Sequence, residues 1–398
     1  MVLDYFLQFL LTTLSYVTPK DKTLLVFGCG NRNEFQGHPK YLYLYLQLQT
    51  QSDWEHVWST ENRVLYDELN NKGYPVIYKY SIKGFFTLLK AALFIHEKSS
   101  KDVYYIDQIV GRFRFFQTFH GVPLKMIGLD KIKFDKRGIF YQITKYPWLY
   151  SLVKRLKLLS MFKYKAMLAP SDEVKRIMQR AFDHDNVLSL GYPRNDVFFD
   201  KKLLYNDLRP ILSLDKYDKV ILYAPTFRDH KSSVEPFTID FLLQLNAYCK
   251  EHNYLFLLKK HPWEKELKFP ETLSNLKDVS SQVSDVQELL VWTDVLITDY
   301  SSVFFDFMVT GRPVIFYAYD LEEYQIHCRD MYYDYKSEIQ GPIAKSENQL
   351  LDLIETIDTW STEPEYIEKY AQVNQKFNTN NDGNSCERVL NILQNLTK

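Results

Sequence analysis

The chain has 398 residues, of which 46% are apolar and 25% charged, and this length and composition predict two or three packed globular domains. A core of that size excludes disorder, collagen-like repeats and mini-folds that depend on disulfides. Lysine and arginine (49) almost cancel aspartate and glutamate (50), and a net charge of −1 argues against a whole-protein grip on nucleic acid.

At the N-terminus, Val2, Phe6, Phe9, Leu10, Leu14 and Val17 recur at helical spacing and predict an amphipathic helix over Met1–Val17. With Asp4 and Gln8 it is too short and too polar to span a bilayer, and it lacks the positive start and cleavage site of a signal peptide. Such a helix either docks on its own domain or rests on a membrane. Strand-like runs follow at Leu24–Phe27, His56–Ser59, Val76–Tyr80, Val103–Ile106, Phe115–Phe119, Ala166–Ala169 and Val187–Leu190. A second series covers Val220–Ala224, Tyr254–Leu258, Val295–Thr298 and Val314–Tyr317. Between them, Lys40–Gln49, Glu173–Ala181, Phe241–Glu251 and Ser302–Thr310 read as helices. This alternation predicts an α/β protein with parallel, doubly wound sheets.

The run from Phe199 to Tyr217 reads as a linker, giving an N-terminal domain over residues 1–200 and a C-terminal domain over 201–398. Glu365–Phe377 and Ser385–Leu396 are expected to close the C-terminal domain as helices. Charge is unevenly spread. The stretch Lys131–Lys165 is basic with Asp135 as its one acid, and Phe134, Tyr146, Trp148 and Tyr150 are interleaved. That pattern suits an anionic membrane surface better than single-stranded nucleic acid, with a solvated helix face as the plain alternative. Cys29, Cys249, Cys328 and Cys386 are scattered, with neither CxxC nor zinc spacing, and read as unpaired thiols.

In open α/β sheets, ligands bind beyond the carboxyl ends of the strands. Six predicted strand ends carry chemistry there: Gly28-Cys29-Gly30, His120-Gly121, Gly191-Tyr192-Pro193-Arg194, Thr226-Phe227-Arg228, Lys260-His261-Pro262 and Asp299-Tyr300-Ser301-Ser302. Glycine is scarce (13 residues), which gives Gly-containing motifs more weight. His120 can take a proton from a hydroxyl near neutral pH, and Gly121 allows close backbone approach. Lys260, His261, Thr226 and Arg228 can neutralise a diphosphate. Ser301 and Ser302 open a helix whose N–H groups favour anions, although Asp299 or Ser301 as a plain N-cap explains the same residues. Asp306, one turn after Ser302, can meet a ribose or a cation. No protein-bound metal is marked by HExxH, DxD or Cys/His spacing.

Read in order, the motifs resemble the CDP-glycerol glycerophosphotransferases of teichoic-acid and capsule synthesis. The resemblance rests on HGVPLK (His120–Lys125), LGYPRND (Leu190–Asp196), LYAPTFR (Leu222–Arg228), KKHP (Lys259–Pro262), TDVLITDYSSVFFDF (Thr293–Phe307) and RPVIFYAYDLEEY (Arg312–Tyr324). It implies a GT-B-like fold of two Rossmann-like domains facing a central cleft, working at the cytoplasmic face of the membrane. It implies transfer of glycerol phosphate from CDP-glycerol to a hydroxyl of a lipid-linked glycan or polyol-phosphate acceptor, with release of CMP. His120 would then be the base, and His261 would stabilise the phosphoryl group or the leaving CMP. Gly121, Lys125, Thr226, Phe227, Arg228, Lys260, Ser301, Ser302 and Asp306 would line the substrates, with Arg194 and Asp299 supporting the cleft. No cofactor or nucleic acid is implied, and a homo-oligomer is compatible with the resemblance. On the acceptor side, NEFQGHPKYL (Asn33–Leu42) carries His38 where the family pattern leads one to expect Asn. A CDP-ribitol transferase and a nucleotide-sugar glycosyltransferase or epimerase of the same fold are the alternatives.

Overall fold

A computed structural model describes residues 2–30, 34–105, 111–132, 146, 148, 164–226, 236–260, 269–270, 272–327, 331–335 and 339–398. The chain forms two compact units. One comprises Met1–His120, Gly128–Leu203 and Thr379–Lys398, and the other comprises Gly121–Ile127 and Leu204–Asn378.

The first unit carries β1 (Leu24–Phe27), β2 (Glu55–Thr60), β3 (Val76–Tyr78), β4 (Leu93–His96), β5 (Phe115–Gln117), β6 (Ala166–Ala169) and β7 (Val187–Ser189). They form one sheet in the order β3-β2-β1-β4-β5-β6-β7, with every neighbouring pair parallel. In the second unit, β8 (Lys219–Tyr223), β9 (Tyr254–Leu258), β10 (Leu276–Asp278), β11 (Val295–Thr298), β12 (Val314–Tyr317) and β13 (Ile343–Ala344) form a parallel sheet in the order β10-β9-β8-β11-β12-β13. β1, β4, β6, β11 and β12 are buried at every residue. Helices cover both faces of such sheets, so their strands read as unbroken apolar runs rather than alternating ones.

The sequence reading lacks two strands, β10 and β13, and misplaces a third. Val103–Ile106 was expected as a strand, but Val103–Tyr105 form a turn after the 3-10 helix Ser100–Asp102, and the fourth strand is Leu93–His96. Val103 and Tyr104 are apolar because they pack in the core, not because they pair in the sheet. Leu93–His96 follows the helix Ile82–Lys90 after only Ala91 and Ala92, with no Gly or Pro to mark the break. The N-terminal helix α1 (Val2–Val17) is present, and over residues 9–17 Leu11 and Ser15 are buried, whereas Phe9, Leu10, Tyr16 and Val17 are exposed.

The expected closing helices divide. The helix Pro364–Asn378 stays with the second unit, while Ser385–Leu396 joins the first. Cys386, Val389 and Leu393 are its fully buried apolar residues. Its first turn is fixed by Asp196, whose carboxylate accepts from the Ser385 N–H (3.1 Å) and the Cys386 N–H (2.6 Å). Those are two of the N–H groups that a helix start leaves without an internal partner. Replacing Asp196 by Ala should therefore lower stability by about 2 kcal/mol, the upper end for loss of a helix cap. Chemical denaturation followed by circular dichroism measures this, and an unchanged midpoint would contradict the cap.

Candidate active site

In the first unit the strand order reverses between β1 and β4, so two successive connections leave the sheet in opposite directions and open a crevice there. Cys29, just after β1, and Glu97, just after β4, meet at this point, with the Cys29 thiol 2.5 Å from Glu97 Oε2. Both are buried. Burial raises the Glu97 carboxyl above its usual range, against the opposing pull of the Arg194 charge and the Cys29 hydrogen bond. Burial also raises the Cys29 thiol, which the neighbouring Glu97 reinforces, so this cysteine is a donor to Glu97 rather than a nucleophile.

β5 leads directly to His120. Thr118 ties the chain to β4 through its N–H (2.8 Å) and hydroxyl (2.9 Å), both donated to the His96 carbonyl. The next residue, Phe119, holds φ at +59°, and Gly121 holds φ at +145°. A bulky side chain in the left-handed region is strained, and such strain persists only where surrounding structure enforces it. Between these two residues His120 is exposed, with its ring 4.3 Å from that of Phe119. Arg194, in the 3-10 helix Pro193–Phe198, donates from Nη1 to the His120 carbonyl at 3.3 Å.

His38 lies in the first turn of α2 (Gly37–Leu48). It is fully buried, its ring is 4.2 Å from that of Tyr192, and neither ring nitrogen has a hydrogen-bond partner among the described residues. Burial first, and then the Arg194 and His120 charges, hold its pKa well below the usual histidine range. The ring is therefore a neutral imidazole at neutral pH.

The second unit repeats the arrangement at the reversal between β8 and β11. Asp299, just after β11, accepts from the Thr226 N–H (2.8 Å) just after β8 and from the Tyr300 N–H (2.6 Å). The Tyr335 hydroxyl donates to the Asp299 carbonyl at 3.1 Å. Tyr300 donates to Asp320 (3.0 Å) and stacks on Tyr324 with ring centroids 3.7 Å apart, and Lys125 Nζ lies 5.0 Å above the Tyr324 ring. Lys260 forms an ion pair with Asp278 at 2.8 Å, and its N–H donates to Ser280 at 2.9 Å. Burial works against the Asp278 charge, but the Lys260 and Ser280 hydrogen bonds outweigh it and hold the carboxyl below its ordinary value. Ser301 accepts from the Val303 N–H (3.4 Å), and Ser302 precedes the helix Val303–Met308, in which Asp306 is buried. That helix has six residues, shorter than the Ser302–Thr310 expected, so its dipole is modest.

His120 and Arg194 are thus brought together in the first unit, and Thr226, Asp299, Ser301, Ser302, Asp306, Lys260, Gly121 and Lys125 belong to the second. HGVPLK is split: His120 goes with the first unit, and the residues after it pair with Met331 and Tyr332 of the second. Phe227, Arg228 and His261 lie outside the described residues, as does most of the basic aromatic stretch Lys131–Lys165; of its described aromatics, Tyr146 and Trp148 are exposed and Tyr164 is buried. Sequence reasoning missed Glu97, because it follows the strand that was not recognised. It also missed Asp278 as the partner of Lys260, which sits on a three-residue edge strand too short to give a signal. Among the described residues no group of three or more His, Cys, Asp or Glu side chains is arranged to hold a metal ion.

Two Rossmann-like parallel sheets, each with ionisable groups gathered at the reversal of its strand order, define a protein of the GT-B-like fold class. The chain belongs to the CDP-glycerol:poly(glycerophosphate) glycerophosphotransferase family, whose profile matches residues 10–395. It is 32% identical over 378 residues to a teichoic acid glycerol-phosphate transferase of Staphylococcus aureus (strain NCTC 8325 / PS 47), covering 93% of this chain and 92% of that protein. It is 27% identical to a teichoic acid poly(glycerol phosphate) polymerase of Bacillus subtilis (strain 168), covering 94% of this chain and 49% of the polymerase. Among solved structures, a variant of the wall teichoic acid polymerase TagF shares the fold with a TM-score of 0.75 at 24% identity, over 97% of this chain and 92% of that one.

The buried neutral His38 makes stability depend on pH. Below the ordinary histidine value near 6.5 the unfolded chain binds a proton that the native ring refuses, so stability falls as pH falls from 7 to 5 and is flat above. A His38→Asn variant should show a shallower slope, the remainder coming from His56, which burial also holds below the usual histidine range. Urea midpoints of both proteins across that range test the prediction, and parallel slopes would refute it.

Proposed function

We propose that this glycerophosphotransferase moves glycerol phosphate from CDP-glycerol to the terminal hydroxyl of a lipid-linked polyol-phosphate or glycan acceptor, in teichoic-acid or related capsule synthesis, and releases CMP. The observation that carries the assignment of the acceptor side is His120. It is an exposed imidazole set between a strained Phe119 and Gly121, with its main chain held by Arg194. It takes the proton of the acceptor hydroxyl as the oxygen attacks the β-phosphorus, and the bond from that phosphorus to the CMP oxygen breaks.

The donor is held by residues of the second unit. Asp299 is the support, since its carboxylate is committed to two main-chain N–H groups and fixes the turns that carry Thr226 and Ser301. Thr226, Ser301, Ser302 and the cation of Lys260, with Phe227 and Arg228 from the same motifs, bind the nucleotide diphosphate. Lys125 meets its charge from the HGVPLK segment, and Asp306 meets its ribose. His261 stabilises charge on the leaving CMP. Phosphoryl transfer asks a protein chiefly for positioning and charge stabilisation, which these residue types supply.

No helix among the described residues is long and apolar enough to cross a membrane. The exposed Phe9, Leu10, Tyr16 and Val17 of α1, with Tyr146 and Trp148, support peripheral attachment at the cytoplasmic face, where the lipid-linked acceptor would be met.

His120→Ala should leave CDP-glycerol binding within about twofold and slow CMP release by roughly 10²–10⁴, the usual loss for a general base. His261→Ala should weaken both turnover and donor binding. Calorimetry with CDP-glycerol and a CMP-release assay with CDP-glycerol, CDP-ribitol and UDP-sugars test this. Donor binding lost in His120→Ala but kept in His261→Ala would reverse the two roles, and turnover of UDP-sugars without CMP would overturn the reaction.

A further inference from the structure

Lys79 follows β3, on the edge of the sheet that also carries His120, and its side chain is only 3% exposed although the reaction scheme gives it no task. Its ammonium donates to the carbonyls of Lys101 (3.1 Å) and Tyr104 (3.4 Å) and pairs with Glu61 at 2.8 Å. Glu61, just after β2, accepts from the Tyr80 hydroxyl at 3.0 Å. Tyr80 is 60% exposed, yet the chain on either side of it is fixed. The Tyr105 hydroxyl donates to the Lys79 carbonyl at 2.7 Å, and Ser81 caps the helix Ile82–Lys90 by accepting from the Gly84 N–H at 2.9 Å. That helix sits so close that a Cβ on Gly84 would collide with the Tyr78 carbonyl.

The Tyr80 ring is one of a series. It lies 6.0 Å from the Tyr78 ring and 6.0 Å from the Tyr105 ring, and Tyr105 lies 6.1 Å from Phe85. The Arg63 guanidinium is 3.5 Å from the centre of the Tyr78 ring. Tyr78, Tyr105 and Phe85 are each partly exposed, so every ring of the strip meets solvent.

Exposing an aromatic ring gains the fold little, and burying a cation is costly unless it is paired. Here the second holds the first: Lys79 fixes Glu61, and Glu61 fixes Tyr80. A ring already immobilised gives up little conformational freedom when a ligand covers it. The strip suits an uncharged sugar, whose C–H faces lie on flat rings while its hydroxyls bond to a carboxylate and to tyrosine hydroxyls. Glu61, still partly exposed beside Tyr80, works against a phosphate or an anionic lipid headgroup in the same place. We propose that the strip centred on Tyr80 binds an uncharged sugar unit of the acceptor, set back from its reacting hydroxyl. This inference rests on the reading of His120 as the group that meets that hydroxyl. β3 and β5 are four strand spacings apart in the sheet, about 19 Å, so the sugar at Tyr80 lies several units along the acceptor from the oxygen at His120.

The test compares two acceptors by steady-state CMP release from CDP-glycerol. One is a synthetic lipid carrying chitobiose or cellobiose and a terminal glycerol phosphate, and the other has a tetraethylene glycol spacer in place of the disaccharide. Saturation-transfer NMR with the free disaccharides reads the site directly. The wild-type protein is expected to bind a free disaccharide with a millimolar Kd, and Tyr80→Ala to weaken this at least fivefold. Tyr80→Ala should also raise KM for the sugar-bearing acceptor at least tenfold, with kcat changed less than twofold and KM for the spacer acceptor unmoved. Tyr80→Phe, which keeps the ring but loses its bond to Glu61, should fall between the two. Circular dichroism confirms the fold of each variant. Absence of disaccharide binding in the wild type, or an unchanged KM for the sugar-bearing acceptor in Tyr80→Ala, overturns the proposal. So does a KM that rises equally for both acceptors while Tyr80→Ala detaches from phosphatidylcholine vesicles, which assigns the strip to the bilayer. His120→Ala separates the two readings, since it should bind the free disaccharide as the wild type does. Full turnover in His120→Ala removes the role of His120, whereas an inactive His120→Ala beside an unaltered Tyr80→Ala overturns only the sugar site.

Discussion

Parallel strand pairing governs both units. When neighbouring strands all run the same way, every strand-to-helix turn of a sheet emerges on one edge, and the polar main chain of those turns must find partners there. At the place where the strand order reverses, two turns diverge and leave a gap. In both units a carboxylate from the strand beside the gap spans it. Glu97 reaches Cys29 across β4 and β1, and Asp299 reaches the Thr226 N–H across β11 and β8. Both carboxylates are taken up by the protein itself.

The two bridges differ in strength. Asp299 accepts two main-chain N–H bonds, a firm arrangement for a buried carboxylate. Glu97 receives a thiol donor, a weaker one, and its carboxyl is raised by burial. The first unit also buries the His38 ring, whose nitrogens have no hydrogen-bond partner among the described residues, and keeps Phe119 in a strained conformation next to His120. Compromises of this kind reduce stability and persist when surrounding packing over-determines them, as it does at sites of function. The regular part of that unit, with β1, β4 and β6 buried at every residue, supplies the packing.

Connectivity adds a further constraint. A linear motif need not be a spatial one: HGVPLK contributes His120 to one unit and Gly121 to Lys125 to the other, and the last helix returns to the first unit. LGYPRND shows the same division of labour over a shorter distance. Arg194 holds the His120 carbonyl, whereas Asp196, two residues later, caps the helix Ser385–Leu396 through two N–H groups. One short motif thereby carries both a site contact and the contact that closes the unit around its own C-terminus.

The sequence by itself determined the α/β class and most strands, because strands buried on both faces are read directly from unbroken apolar runs such as Leu24–Phe27 and Val295–Thr298. The ordered motifs also pointed to the family and to His120, Arg194, Thr226, Lys260 and Asp299, since strand ends with Gly, Pro and ionisable groups have few plain explanations when they recur. Tertiary structure alone decided the rest. Leu93–His96, not Val103–Ile106, is the fourth strand, because local apolar content does not distinguish a residue paired in a sheet from one packed in a turn. Glu97 acquires meaning only when β1 and β4, 68 residues apart in Cys29 and Glu97, lie side by side. The destination of Ser385–Leu396 was equally invisible, since an amphipathic helix records that one face is buried but not which surface buries it.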